Sequence, residues 1–197
     1  MDCTFELHDF LYYGSQYRKC INNTKTVQEV LLILLDDGKL DPDSSMIDTI
    51  IYIANLYINE NDDTIFKVID KLVPILDYNI DKLLIEISDK LPNNIKSQKI
   101  LSYILNKTNA DIRYSRCKCI STAIYKRKML LITTYINHLR NYNFSIDEKI
   151  RILSMLIDVT INLYKIINKY DFEEEIKYLN NNLQFYKSTN NKVKPSI

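Results

Sequence analysis

Apolar positions recur along this chain with the spacing of one helix face. In "TVQEVLLILLDDGKLDP", Val27, Val30, Leu31, Leu34 and Leu35 fall at i, i+3, i+4, i+7 and i+8, the stripe that an amphipathic helix buries. The design returns three times. "DDTIFKVIDKLVPILDYNID" carries Ile65, Val68, Ile69, Leu72 and Val73. "KSQKILSYILNKTNADI" carries Ile100, Leu101, Ile104 and Leu105, and "KRKMLLITTYINHLRNYN" carries Leu131, Ile132, Tyr135 and Ile136. Thr26 with Glu29 predicts a capping box at the first of these helices. Gly38, Asp77, Asn109 and Asn141 close the four segments and predict ends in positive φ. Pro42 blocks continuation of the first helix, and Pro74 predicts a kink or an early stop in the second.

A shorter apolar segment precedes each of these helices: "ELHDFL", "TIIYIANLY", "LLIEISDKL" and "CISTAIYK". The chain therefore reads as repeated pairs of short helices. Leu7, Ile51, Leu84 and Ile120 mark the first helices at steps of 44, 33 and 36 residues. Leu34, Leu72, Ile104 and Tyr135 mark the second helices at steps of 38, 32 and 31.

From residue 145 the pattern changes. "SIDEKIRILSMLIDVTINLYKIINKY" predicts one long amphipathic helix with Ile150, Leu153, Leu156, Ile157, Val159, Leu163, Ile166 and Ile167 on its apolar side. Ser145 and Glu148 predict a capping box at its start. "DFEEEIKYLNNNLQFY" predicts a second helix with Asp171 as N-cap and Glu173 to Glu175 in the first turn, where carboxylates suit the helix dipole. Two such helices would cover the open end of a stack.

Composition adds to this picture. Two glycines and four prolines in 197 residues favour helices over a turn-rich β fold. No apolar run approaches the roughly 20 residues of a membrane span, and the acidic start "MDCTFELHDF" predicts no secretory leader. The four cysteines, Cys3, Cys20, Cys117 and Cys119, then read as reduced thiols. The single Cys-x-Cys pair is poor zinc spacing. Net charge is +1, yet the halves oppose one another: residues 1–90 hold 17 acidic and 8 basic side chains, a net of −9, and residues 91–197 hold 8 and 18, a net of +10.

No constellation for catalysis, metal or cofactor emerges. His8 and His138 lie in different units; the first suits a structural hydrogen bond at a helix start, the second an exposed place near a helix end. Two glycines supply no phosphate-binding loop, and no Ser/His/Asp ordering stands out. The strongest surface signal is basic and aromatic: Arg113, Tyr114, Arg116 and Lys118 in "RYSRCK", and Tyr125, Lys126, Arg127 and Lys128 in "YKRK". These eight residues are the candidate protein-binding positions.

Two-helix units with a period near 33 are the signature of ankyrin arrays. "ELHDFL" resembles the centre of that family's Thr-Pro-Leu-His-x-Ala opening, with Phe5 and Glu6 in the Thr and Pro slots. "TIIYIA" retains Thr49 and Ala54, and "KCISTAI" places Ile120 and Ala123 in the Leu and Ala slots. "VLLILLDDGKLD" and "ILSYILNKTNADI" resemble the Val-x-x-Leu-Leu-x-x-Gly-Ala-Asp ending. Degenerate units rich in Ile, Asn, Lys and Tyr resemble the ankyrin-repeat proteins of poxviruses, over residues 4 to about 143. The resemblance implies an all-α solenoid: about four degenerate ankyrin repeats over 1–143, capping helices over 144–188 and a disordered tail over 189–197. It implies that "RYSRCK" lies on a finger and "YKRK" between the helices of the fourth unit. It also implies a non-enzymatic viral protein of the host cytoplasm or nucleus that binds host proteins to blunt antiviral signalling or extend host range.

"KLPNNIKSQKILSYIL" resembles the opening of an F-box, and a ubiquitin-ligase adaptor using Leu91 and Pro92 is the alternative. A compact poxviral Bcl-2-like bundle is the rival fold. Nucleic-acid binding by the basic half is less favoured still.

Overall fold

In a computed structural model, the described residues are 5–6, 32, 36, 40–41, 46–60, 63–76, 79–108, 110–167 and 172–193. They are all-helical apart from one short bridge. Phe5–Glu6 (β1) pairs in parallel with Leu40–Asp41 (β2), bringing together the two flanks of the first predicted unit. Eight helices follow: α1 Met46–Glu60, α2 Thr64–Leu76, α3 Ile80–Lys90, α4 Ile95–Lys107, α5 Tyr114–Tyr125, α6 Met129–Asn141, α7 Ile146–Ile167 and α8 Glu173–Val193. Leu7, His8, the Thr26–Glu29 box, the Val27 to Leu35 stripe, Gly38, Cys3, Cys20 and Asp171 lie outside the described residues. Leu32 and Asp36 are described: Leu32 meets the core, and Asp36 pairs with Lys71 of α2.

The helices form where the apolar period predicts them. Ile65, Val68, Ile69 and Leu72 of α2 are buried, as are Ile100, Leu101, Ile104 and Leu105 of α4 and Leu131, Ile132, Tyr135 and Ile136 of α6. Each fully buried Leu or Ile contributes about 1.5–3 kcal/mol of transfer free energy. First helices touch first helices, α1 to α3 to α5 to α7, and second helices touch second helices, α2 to α4 to α6. Arg140 of α6 continues the second row by donating to the Asn182 side chain of α8 (2.6 and 3.1 Å). The core therefore lies between two rows of helices, and every described helix keeps an exposed stripe.

Of the four predicted left-handed ends, Gly38, Asp77 and Asn109 lie outside the described residues, and the fourth differs from the expectation. Asn141 is not left-handed; α6 leaves through extended Tyr142 (φ −77°, ψ 149°), just as α3 leaves through Leu91 and α4 through Thr108. The carbonyls stranded at a helix C-terminus need partners, and here neighbouring units supply them. Lys96, at the start of α4, donates to the Tyr57 and Ile58 carbonyls of α1 (3.3 and 2.6 Å). Lys128, just before α6, donates to the Ser88 and Asp89 carbonyls of α3 (both 2.8 Å). The two lysines are 32 residues apart and their acceptors 31 apart, so the device repeats with the unit. Lys149 of α7 likewise donates to the Arg140 carbonyl near the end of α6 (2.9 Å).

A second tie lies in the core. The buried Tyr135 hydroxyl donates to the Leu84 carbonyl (3.0 Å), leaving Ser88 Oγ, 2.8 Å away, to donate to it. Burial holds the Tyr135 phenol well above its usual range.

The C-terminal pair follows its predicted design at the start. Ser145 Oγ accepts from the Glu148 N–H (3.2 Å) while Glu148 accepts from the Ser145 N–H (3.1 Å), a reciprocal capping box. Glu173 to Glu175 occupy the first turn of α8. That helix runs to Val193, so residues 189–193 are helical, where a disordered tail was expected. The predicted apolar side of α7 is only partly buried, and Ile166 is 80% exposed. At 1.5 Å per residue, the 22-residue α7 outreaches the 12-residue α5 beside it, and its end has no first-row helix to cover it. Pro74 is accommodated in the last turn of α2, which stops two residues later.

Replacing Lys128 by Met keeps the aliphatic stem but strands two carbonyls. Urea unfolding is expected to show a loss of about 1–3 kcal/mol. Lys126→Met, which removes only the exposed pair with Asp89, is expected to cost clearly less, because solvent screens an exposed pair. Equal losses in the two variants would show that the Lys128 device contributes nothing special.

Candidate protein-binding surface

The eight candidate residues do not form one patch. "RYSRCK" is not a finger: Arg113 is the N-cap of α5, Arg116 lies in a left-handed run, Ser115 to Cys117, near its start, and Tyr114 and Lys118 flank that run. The connections between units, residues 77–79, 108–113 and 142–145, are too short for long hairpin fingers. "YKRK" does lie in the α5–α6 turn, with Tyr125 closing α5.

Four of the eight side chains are engaged inside the fold. Arg113 binds Asp111 through Nε and Nη2 (both 2.9 Å), reaches Glu148 of α7 (3.2 Å), and stacks 4.6 Å over the Phe144 ring. The Arg113 guanidinium holds the Asp111 carboxyl below its usual range. Lys126 pairs with Asp89 of α3 at 2.9 Å. Arg127 bonds to Glu175 (3.4 Å), whose side chain is only 1% exposed, and lies over the Phe172 ring. Lys128 is buried at the α3 terminus, and desolvation pushes its ammonium pKa down. Tyr114, Arg116, Lys118 and Tyr125 remain free to face solvent, and among the described residues neither Arg116 nor Lys118 makes an ion pair.

The free residues extend onto neighbouring helices that the basic runs did not mark. The exposed sides of α1, α3 and α5 enclose a groove of about 570 Å³. Ile47 and Ile85 give it apolar lining, Tyr114 and Ser115 one wall, and Lys82 and Lys118 cations that make no ion pair among the described residues. Across it, Lys90 binds Glu86 and Asp48 (both 3.1 Å), joining α3 to α1. These hydrogen bonds, Glu86 first and then Asp48, raise the Lys90 pKa. Exposed pairs of this kind contribute little energy, so their effect is positional. Tyr52 stands one turn beyond Asp48 on α1, and Tyr125 two turns beyond Lys118 on α5; both are exposed. The sequence signal for this surface was the Lys82, Glu86, Lys90 spacing along the polar side of α3.

The wall carried by α5 is strained. Ser115, Arg116 and Cys117 are consecutive left-handed residues with φ of 49°, 58° and 57°, and Arg127 in the following turn has φ 56°. Left-handed geometry costs an L-residue roughly 1–2 kcal/mol, and such strain concentrates at functional positions. Here it falls beside Tyr114 and Lys118, in the groove wall.

The other chemical candidates have structural places. Cys117 and Cys119 are buried free thiols; burial raises the first to about 11 and the second to about 12. His138 is half-buried rather than exposed, because Tyr142 folds beside its ring (centroids 5.3 Å apart), and desolvation lowers its pKa. Leu91 of the F-box-like stretch is fully buried, and Ile100, Leu101 and Ile104 join it in the core. Of that stretch's apolar residues, Pro92 and Ile95 are exposed. Among the described residues no group of three His, Cys, Asp or Glu side chains could hold a metal ion, and no helix is long and apolar enough to cross a membrane. Compared with known protein families, with curated proteins and with solved structures, the chain matches none.

Two outcomes follow for α5. Ser115→Gly relieves one left-handed residue at some entropic cost to the folded chain, and a gain of about 0.5–1 kcal/mol is expected in thermal unfolding; a loss of stability would refute the strain. At pH 8, thiols near 11 and 12 hold on the order of one thiolate in a thousand or fewer. Peptide mapping after alkylation should find Cys117 and Cys119 protected in native protein and labelled after unfolding, and rapid native labelling would contradict their burial.

Proposed function

We propose that this chain is a non-enzymatic protein-binding scaffold: a worn ankyrin-type solenoid of about four units with a C-terminal helical cap. The observation that carries the proposal is the face made by α1, α3 and α5. Three exposed tyrosines, Tyr52, Tyr114 and Tyr125, share it with a groove and two lysines that are unpaired among the described residues. Tyrosine supplies large rigid contact area with a polar tip, and is enriched where proteins meet. The row-by-row helix contacts and the lysine device recurring after 32 residues support the solenoid. An exposed stripe on every described helix favours a ladder over a bundle wrapped around a central helix.

The poxviral resemblance supplies the setting: the partner is a host protein, met in the cytoplasm or nucleus of an infected cell, and the consequence is altered host defence or range. A ligase-adaptor role for the Leu-Pro segment gains no support from a buried Leu91.

A photo-crosslinking residue placed at Tyr52, Tyr114 or Tyr125 is expected to join the chain to one discrete protein in host-cell lysate. The same residue at Tyr164 on α7, also exposed, serves as the control and should give none. Crosslinks that are absent, or equal at all four positions, would reject the scaffold reading.

A further inference from the structure

We propose that the groove between α1, α3 and α5 takes an acidic segment of the partner protein with an apolar anchor among its carboxylates; the inference rests on the scaffold reading above. The argument is one of charge complementarity. The groove is lined by three lysines and two carboxylates. Lys90 occupies both carboxylates, Asp48 and Glu86, within the protein itself. Lys82 and Lys118 make no ion pair or hydrogen bond among the described residues, and Arg116 stands exposed two residues from Lys118.

Each class of occupant meets different costs in this groove. A basic segment would face two bare ammonium groups with no free carboxylate to answer them. A wholly apolar helix would bury Lys82 and Lys118 without partners, which is strongly unfavourable. A nucleic acid would lay closely spaced phosphates along a surface that also presents Asp48, Glu86 and the side chains of Ile47 and Ile85. An acidic segment gives each free lysine a counter-charge, and its anchor covers Ile47, Ile85 and the half-exposed ring of Tyr114. Like-charge rejection then supplies selectivity, and opposite charge speeds association.

The probes are a short fluorescein-labelled peptide of Glu and Asp around a central Leu-Phe pair, its counterpart with Lys for every acid, and a single-stranded oligonucleotide. All are read by anisotropy on the full chain. The acidic peptide should bind, weaken between about 50 and 200 mM salt, and lose about tenfold or more in affinity to the Lys82→Glu/Lys118→Glu double variant. That variant should gain affinity for the Lys peptide. Lys82→Gln/Lys118→Gln should fall between, and guards against a folding defect in the charge-reversed protein. Indifference of the acidic peptide to both variants, equal binding of the acidic and basic peptides, or tighter binding of the oligonucleotide would each overturn the assignment. Crosslinking from Tyr52, Tyr114 and Tyr125 separates the two levels. If it persists unchanged in the charge-reversed protein, the scaffold stands and the acidic segment falls; if it never occurs, the scaffold itself falls.

Discussion

The arrangement depends on how this chain ends its helices. Helices α3 and α6 run straight into an extended residue, Leu91 and Tyr142, instead of a left-handed cap that would satisfy their last carbonyls locally. At the ends of α1 and α3 the missing donors come from the next unit, through Lys96 and Lys128. A helix terminated in this way is complete only when its neighbour is docked. Docking of one helix pair on the next is thus built into its hydrogen-bonding, and the buried Tyr135, Ser88 and Leu84 contact ties the two pairs that Lys128 joins, α3–α4 and α5–α6, from inside.

The all-helical character and the helices from α1 onward were legible in the sequence because their main signal is local. A 3.6-residue period shows within a dozen residues, and the stripes of α2, α4 and α6 are the ones that are buried. The Ser145 and Glu148 box was equally legible, since both partners lie within one turn. Termination was not: Asn141 is compatible with positive φ but does not require it, and the lysine that decides the matter lies in another unit. The left-handed run at Ser115 to Cys117 has no sequence signature at all, because none of those residues favours that geometry. The exposure of Ile166 follows from the unequal lengths of α7 and α5, which depends on the partner helix as much as on the stripe itself.

The site was less legible for a related reason. A run of basic residues reports charge, but not what neutralises it. Arg127 meets Glu175 at a separation of 48 residues, and Lys126 meets Asp89 from the preceding unit. Such partners are invisible until the stack is assembled. Half of the basic-aromatic signal proved to be internal mortar, while the accessible cations include Lys82, which stands in no run. What identifies a surface of this kind is the remainder after internal pairing, and that remainder spans three units rather than one.

The bridge from Lys90 to Asp48 crosses a joint between two units, and it does so inside the groove. Both carboxylates that Lys90 holds there reach solvent, so the link is one that added salt weakens. Whatever competes for the Lys90 ammonium also releases Asp48, so occupancy of the cleft and the contact between α3 and α1 are coupled through a single side chain.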